Sequence, residues 1–67
     1  MNKEIAQYIN DLLADRERLM EERKDDNNQW QGIPELYSDL QKDTEHELSM
    51  IYKAQKSMDY IIEEDKQ

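Results

Sequence analysis

The residues best suited to chemistry are Asp43 and His46, which lie three positions apart in the segment Asp43-Thr44-Glu45-His46. On a helix the two would share one face, where a carboxylate and an imidazole can both bind a metal ion. A metal site in a helical bundle needs two such pairs and further carboxylates, all facing inward. Since the chain has one histidine and no cysteine, a solvated histidine is the better interpretation. We therefore expect no metal and no other cofactor.

Other catalytic arrangements are also poorly represented. The chain has no cysteine nucleophile, and with a single glycine it has no Gly-rich loop to bind phosphate. Asp and Glu number 17 among 67 residues, so no pair of carboxylates stands out as a general acid and its base. The sequence predicts a protein that is not an enzyme.

A formal net charge of -8 restricts the class of partner. Nucleic acids and anionic membranes both attract Lys and Arg, so we expect no direct binding to either. The sequence contains no apolar run of the ~20 residues that a membrane span needs and no signal-peptide pattern, which predicts a cytoplasmic location. A chain this small without disulfides generally gains stability from self-association or a partner.

The segment 27–34, with the sequence NNQWQGIP, contains the one Trp, the one Gly and the one Pro of the chain. Gly and Pro interrupt helices, and long charged segments with helical spacing lie on both sides. The pattern predicts a helical hairpin whose turn covers residues 27–33. Trp30 has two interpretations: it covers the end of the core, or it stays exposed and anchors a partner.

Adjacent apolar pairs recur every seven residues in the first half of the chain, at Ile5-Ala6, Leu12-Leu13 and Leu19-Met20. This period predicts an amphipathic helix over about residues 3–26, with Asn2 as its N-cap. We expect Asn27 or Asn28 to end the helix in the left-handed conformation.

The second half predicts a helix over about residues 34–64, because its apolar residues alternate between spacings of three and four. Pro34 suits a first helical turn, since its missing N–H needs no partner there. Ser38 begins a possible capping box and offers a later start. Pro34 is the preferred start.

The sequence therefore predicts an all-α fold, with residues 1–67 forming one antiparallel two-helix hairpin. Each apolar stripe is too wide for a single neighbour, so we expect two copies to dimerise into a four-helix bundle. Folding the chain at the turn brings Arg16 opposite Glu47, which predicts a buried ion pair that fixes the register. The expected core and dimer contacts are Ile5, Ile9, Leu12, Leu13, Leu19, Met20, Tyr37, Leu40, Leu48, Ile51, Met58 and Ile62.

Met50, Tyr52 and Tyr60 lie off the main stripe of the second helix. They are either scattered apolar residues of an ordinary surface or a second face that contacts a partner. Together with Trp30 they are the candidate partner-binding residues.

The turn and the C-terminal segment resemble motifs of the WXG100 (ESAT-6-like) family. Trp30-Gln31-Gly32 matches the Trp-x-Gly turn of that family, and Tyr60 and Glu64 match its C-terminal Tyr-x-x-x-Asp/Glu export signal. The resemblance implies a dimeric four-helix bundle that a specialised system secretes. The chain is about a third shorter than is usual in that family, and the match covers few positions.

The leading functional prediction is a small acidic interaction protein, an inhibitor or adaptor of the kind that phages and other mobile elements encode. Its negative charge would steer it to a basic surface on another protein. The alternative prediction is the secreted WXG100-like hairpin.

Overall fold

The computed structural model describes the backbone of residues 2–65 and the side chains of residues 2–64. Two α-helices, α1 (Lys3–Asp26) and α2 (Pro34–Asp65), are joined by a 3-10 turn at Asn27–Trp30 and a short irregular segment. The described residues contain no strand, and the two helices pack against each other. The prediction of an all-α helical hairpin is confirmed.

The start of α1 follows from its capping residue. The Oδ1 atom of Asn2 accepts a hydrogen bond from the backbone N–H of Ile5 at 2.9 Å, which satisfies one of the free N–H groups of the first turn. The acidic Glu4 lies in the first turn and the basic Arg23 and Lys24 lie in the last. These three charges have the sign that the helix dipole favours, whereas Asp25 and Asp26 at the C-terminal end have the opposite sign.

The end of α1 differs from the expected left-handed cap. Asn27 has φ -59° and ψ -23°, and no described residue has a positive φ. The chain continues from α1 directly into the 3-10 turn, because the Asn27 side chain is buried and bonded to α2. Its Nδ2 atom lies 2.8 Å from Oε1 of Gln41 and 3.1 Å from Oγ1 of Thr44.

The second helix begins at Pro34 and does not restart at Ser38. Ile33 leads into it: its N–H donates to the carbonyl of Trp30, and its carbonyl accepts from the N–H of Tyr37, both at 2.9 Å. These two bonds join the 3-10 turn to the first turn of α2. The hairpin bend is therefore tied at both ends by hydrogen bonds.

The hairpin has a small core. Its buried apolar side chains are Ala6, Met20, Leu48 and Ile51, with Leu13 packed against them. Several other predicted core residues are half-buried, namely Ile9, Tyr37, Leu40, Met58 and Ile62. The molecule measures 52 × 15 × 13 Å, so it is one helix pair thick and has no deeper interior.

Candidate interaction surfaces

The three apolar pairs of α1 divide between two directions. In each pair the second residue turns toward α2: Ala6 and Met20 are buried and Leu13 is half-buried. The first residue of each pair stays largely exposed, and these residues are Ile5 (50%), Leu12 (51%) and Leu19 (44%). These three residues are therefore not part of the core within the hairpin, and their predicted role as dimer contacts stays a prediction. They form a second stripe that α2 does not cover.

The exposed stripe continues onto α2. At about 100° per residue, Ile5, Tyr8, Leu12 and Leu19 fall within about 60° of one another on α1. The Arg16–Glu47 bond joins the flank of α1 that carries this stripe to one flank of α2. Met50 and Ile61 lie on that same flank of α2, beyond Glu47. We call this surface the apolar side; it comprises Ile5, Tyr8, Leu12, Leu19, Met50 and Ile61.

The opposite side of the hairpin is closed by polar bonds. The Tyr52 hydroxyl donates to Oε1 of Glu21 at 2.8 Å, and Nε2 of Gln55 donates to Oε1 of Glu17 at 2.9 Å. Nearer the chain ends, Asn10 donates to Asp59 at 2.7 Å. The hydrogen bond to Glu21 raises the pKa of Tyr52, with partial burial and the charges of Glu21 and Glu17 acting in the same direction. These bonds join the two helices along the polar side, while the buried Oδ1 atom of Asn10 has no hydrogen-bond partner among the described residues.

Arg16 and Glu47 pair as the register requires, but not in a buried position. Nε of Arg16 lies 2.8 Å from Oε1 of Glu47, and the two side chains are 45% and 37% exposed. The pair lies outside the packed centre because Met20, Leu48 and Ile51 occupy the line of closest helix contact. The hydrogen bond from Arg16 lowers the pKa of Glu47, and the charges of Arg16 and Arg23 lower it further.

The pH dependence of this ion pair follows from the direction of that shift. A carboxyl whose pKa is lower in the folded state stabilises the fold above its ordinary pKa, and the contribution is lost as the pH falls through the lowered value. Because both groups are largely solvated, the effect on stability is small. The pair serves mainly to mark the register of α1 on α2.

Met50, Tyr52 and Tyr60 do not form a common face. Met50 lies on the apolar side and Tyr52 on the polar side, and Tyr60 points outward from α2, about 80° from each. Tyr60 is 66% exposed. Helical spacing therefore separates these three residues instead of placing them on one face, and their predicted role in partner binding stays a prediction.

The hairpin tip carries a second apolar cluster. Trp30, Ile33 and Leu36 are 40%, 52% and 38% exposed, so Trp30 is not sealed over the end of the core. Between Lys24 and Lys42 the chain has no Lys or Arg. The tip is thus an apolar surface within a segment whose charged side chains are exposed carboxylates, namely Asp25, Asp26, Glu35 and Asp39. That gap in the basic residues was visible in the sequence and would have singled out the tip.

Gly32 is not required by the shape of the turn. Its φ is not positive, and an added Cβ would meet no atom within 4 Å. Of the other residues that match the WXG100 pattern, Trp30 is partly exposed, and Tyr60 and Glu64 are exposed one turn apart near the end of α2.

Neither helix, over the part of the chain described, combines the length and apolar character that crossing a bilayer requires. Among residues 2–64, no third His, Cys, Asp or Glu side chain lies close enough to Asp43 and His46 to complete a metal site. The apolar side and the hairpin tip, both exposed, are the candidate interaction surfaces. Comparisons with protein-family models, curated proteins and solved structures gave no match for this chain.

Proposed function

We propose that this protein is an acidic interaction module that dimerises through its apolar side into a four-helix bundle and binds a basic surface of another protein. The observation that carries the proposal is the division of the α1 apolar pairs. One member of each pair packs on α2, and the other is free. A helix with two such stripes is suited to two neighbours, and the hairpin supplies only one.

A second copy is the simplest second neighbour. Two hairpins that bury their apolar sides against each other give four helices around one core, an arrangement in which short loops and antiparallel neighbours are usual. Dimers with two-fold symmetry use the same surface on both copies, so a single apolar side is sufficient. The Arg16–Glu47 pair would then lie within the bundle and help to fix its register.

The partner is expected to be basic because the surplus of carboxylates is not neutralised within the hairpin. Among residues 2–64 the ion pairs are Arg16–Glu47 and a loose Asp15–Arg18 pair at 4.0 Å. Unpaired surface charge steers association with an oppositely charged protein and gives it specificity. An inhibitor or adaptor that acts by covering a basic surface, including one that normally binds nucleic acid, fits this charge.

Leu12→Lys tests the dimer. We expect light scattering over a dilution series to give a mass near twice 8.2 kDa for the unmodified protein and near one chain for the variant. A leucine that is buried in the dimer contributes ~1.5–3 kcal/mol, and symmetry removes two, so the dissociation constant should rise about a hundredfold or more.

The matched control is Ala14→Lys, which makes the same change of charge at an exposed position on the outward face of α1. This variant should keep the mass of the unmodified protein. If the unmodified protein stays monomeric at high concentration, or if Ala14→Lys dissociates it as effectively, the proposed dimer is wrong.

Trp30→Ala tests partner binding at the tip. Tryptophan at the centre of an interface commonly contributes ~2 kcal/mol or more, so affinity for a protein captured from the source cells should fall about 30-fold or more. Tyr60→Ala, which removes another exposed aromatic ring far from the tip, should change the affinity little. Affinity should also weaken with salt. Equal losses in the two variants would place the contact elsewhere.

A second candidate function follows from the resemblance to secreted WXG100 hairpins. Tyr60 and Glu64 are exposed and close together on α2, where an export receptor could reach them. The two candidates differ in location, since export from the cell belongs only to the second.

A further inference from the structure

The charged residues at the inner edge of the apolar side, the edge next to the contact between α1 and α2, are segregated by helix. Arg16 and Arg23 lie on the flank of α1 that faces this side, and Asp43 and Glu47 lie on the matching flank of α2. The Arg16–Glu47 bond fixes this relation, and Arg23 is near enough to lower the pKa of Glu47. The edge of this surface next to the contact between the helices is therefore positive on α1 and negative on α2, while the outer edge of α1 carries the carboxylates of Asp15, Glu22 and Asp26.

From this distribution of charge we infer the orientation of the second copy: the two-fold axis runs parallel to the helices, and α1 of each copy packs antiparallel on α2 of the other. The inference rests on the proposed dimer and specifies its geometry. In this arrangement the arginines of one copy lie over the carboxylates of the other at both contacts. All four helices have antiparallel neighbours, which also favours their dipoles.

The competing two-fold arrangement has its axis across the helices. It would pack α1 on the α1 of the second copy and α2 on α2. The arginine-bearing edge of α1 would then face the same edge of the second copy, and the edge of α2 with Asp43 and Glu47 would face its own equivalent, so like charges would approach one another where the axis crosses the helices. Like charges brought together at an interface oppose association, so this arrangement is the unfavourable one.

The hairpin register predicts which residues meet. Arg16 bonds to Glu47, Asn27 to Gln41 and Asn10 to Asp59. These bonds show which residues of α1 and α2 lie at the same height along the hairpin. A two-fold axis parallel to the helices leaves the height of each residue unchanged, so residues at the same height in the two copies lie side by side. Leu19 of one copy should therefore lie beside Met50 of the other, and Ile5 beside Ile61.

Disulfide trapping tests this geometry cleanly because the chain has no cysteine. Leu19→Cys and Met50→Cys are made in separate chains, tagged differently, mixed and mildly oxidised. A disulfide needs Cβ atoms about 4 Å apart, so mixed disulfides should exceed self-disulfides of either variant by about fivefold or more. Ile5→Cys mixed with Ile61→Cys is a second, independent pair in case one substitution weakens the dimer.

Each outcome has one meaning. Dominant mixed disulfides in either pair support the inferred orientation. Dominant Leu19→Cys self-disulfides, or a dimeric mass without mixed disulfides in both pairs, overturn the orientation and leave the proposed dimer standing. A monomeric mass for the unmodified protein removes the proposed dimer and the inference with it.

Discussion

Replacing Met20 with alanine should unfold a large part of the protein at room temperature. Among residues 2–64, Met20 is the one large side chain with no exposed surface, and it packs with Leu48 and Ile51 in a core of four buried apolar residues. Truncating a buried methionine to alanine generally costs ~2–5 kcal/mol. A small single core rarely supplies more than about 3–5 kcal/mol in total, so the loss is comparable to the whole stability.

The measurement is thermal and urea unfolding followed by circular dichroism, at a concentration low enough to keep the hairpin monomeric. The matched control is Met50→Ala, which removes the same atoms from a side chain that is 51% exposed. Met50→Ala should leave the monomer close to its original stability. If the two variants are destabilised equally, Met20 does not hold the core.

The helices were predictable because their signals are local. The seven-residue recurrence of Ile5-Ala6, Leu12-Leu13 and Leu19-Met20 identifies an amphipathic helix without knowledge of its neighbour. Pro34 marks a helix start through its own geometry, since its preset φ and missing N–H suit a first turn. Both features depend on residues within a few positions of each other.

The direction in which each apolar pair turns was not predictable. Leu12 and Leu13 are neighbours of equal size, and only the rotation of α1 against α2 decides that Leu13 faces inward and Leu12 outward. The exposure of Arg16 and Glu47 has the same cause. The register of the hairpin places the two residues at the same height, but the rotation of α1 against α2 decides that they lie at the surface. The tip could have been recognised from the absence of Lys and Arg between residues 24 and 42.

Asn27 shows the limit of local reasoning most clearly. An asparagine that follows a helix is a good candidate for a left-handed cap, yet its amide binds two side chains of α2, at positions 14 and 17 residues further along the chain. The network continues from Nε2 of Gln41 to the hydroxyl of Tyr37 at 3.2 Å and from Oγ1 of Thr44 to the carbonyl of Leu40 at 2.8 Å. These bonds need the hairpin to be closed first.

Asn27→Ala should therefore destabilise the hairpin by ~1–3 kcal/mol, because it leaves acceptors of Thr44 and Gln41 without their donor in a site that water does not freely reach. Asn27 and Thr44 are 5% and 3% exposed. The control is Asn28→Ala, the neighbouring exposed asparagine, whose side chain takes part only in a long bond of 3.4 Å from Gln31. That variant should unfold within a few tenths of a kcal/mol of the original protein.

The double variant Asn27→Ala, Thr44→Val distinguishes two contributions to the loss of stability: the loss of a hydrogen bond and the cost of leaving its buried partner unsatisfied. Removing both polar groups of a buried bond is much less costly than removing one, since no orphaned acceptor remains. Thr44→Val should therefore recover part of the stability lost in Asn27→Ala, although it would be neutral or harmful in the original protein. Simple addition of the two single effects in urea unfolding would contradict this account. The Asn27 side chain would then contribute by filling space and not by its hydrogen bonds to α2.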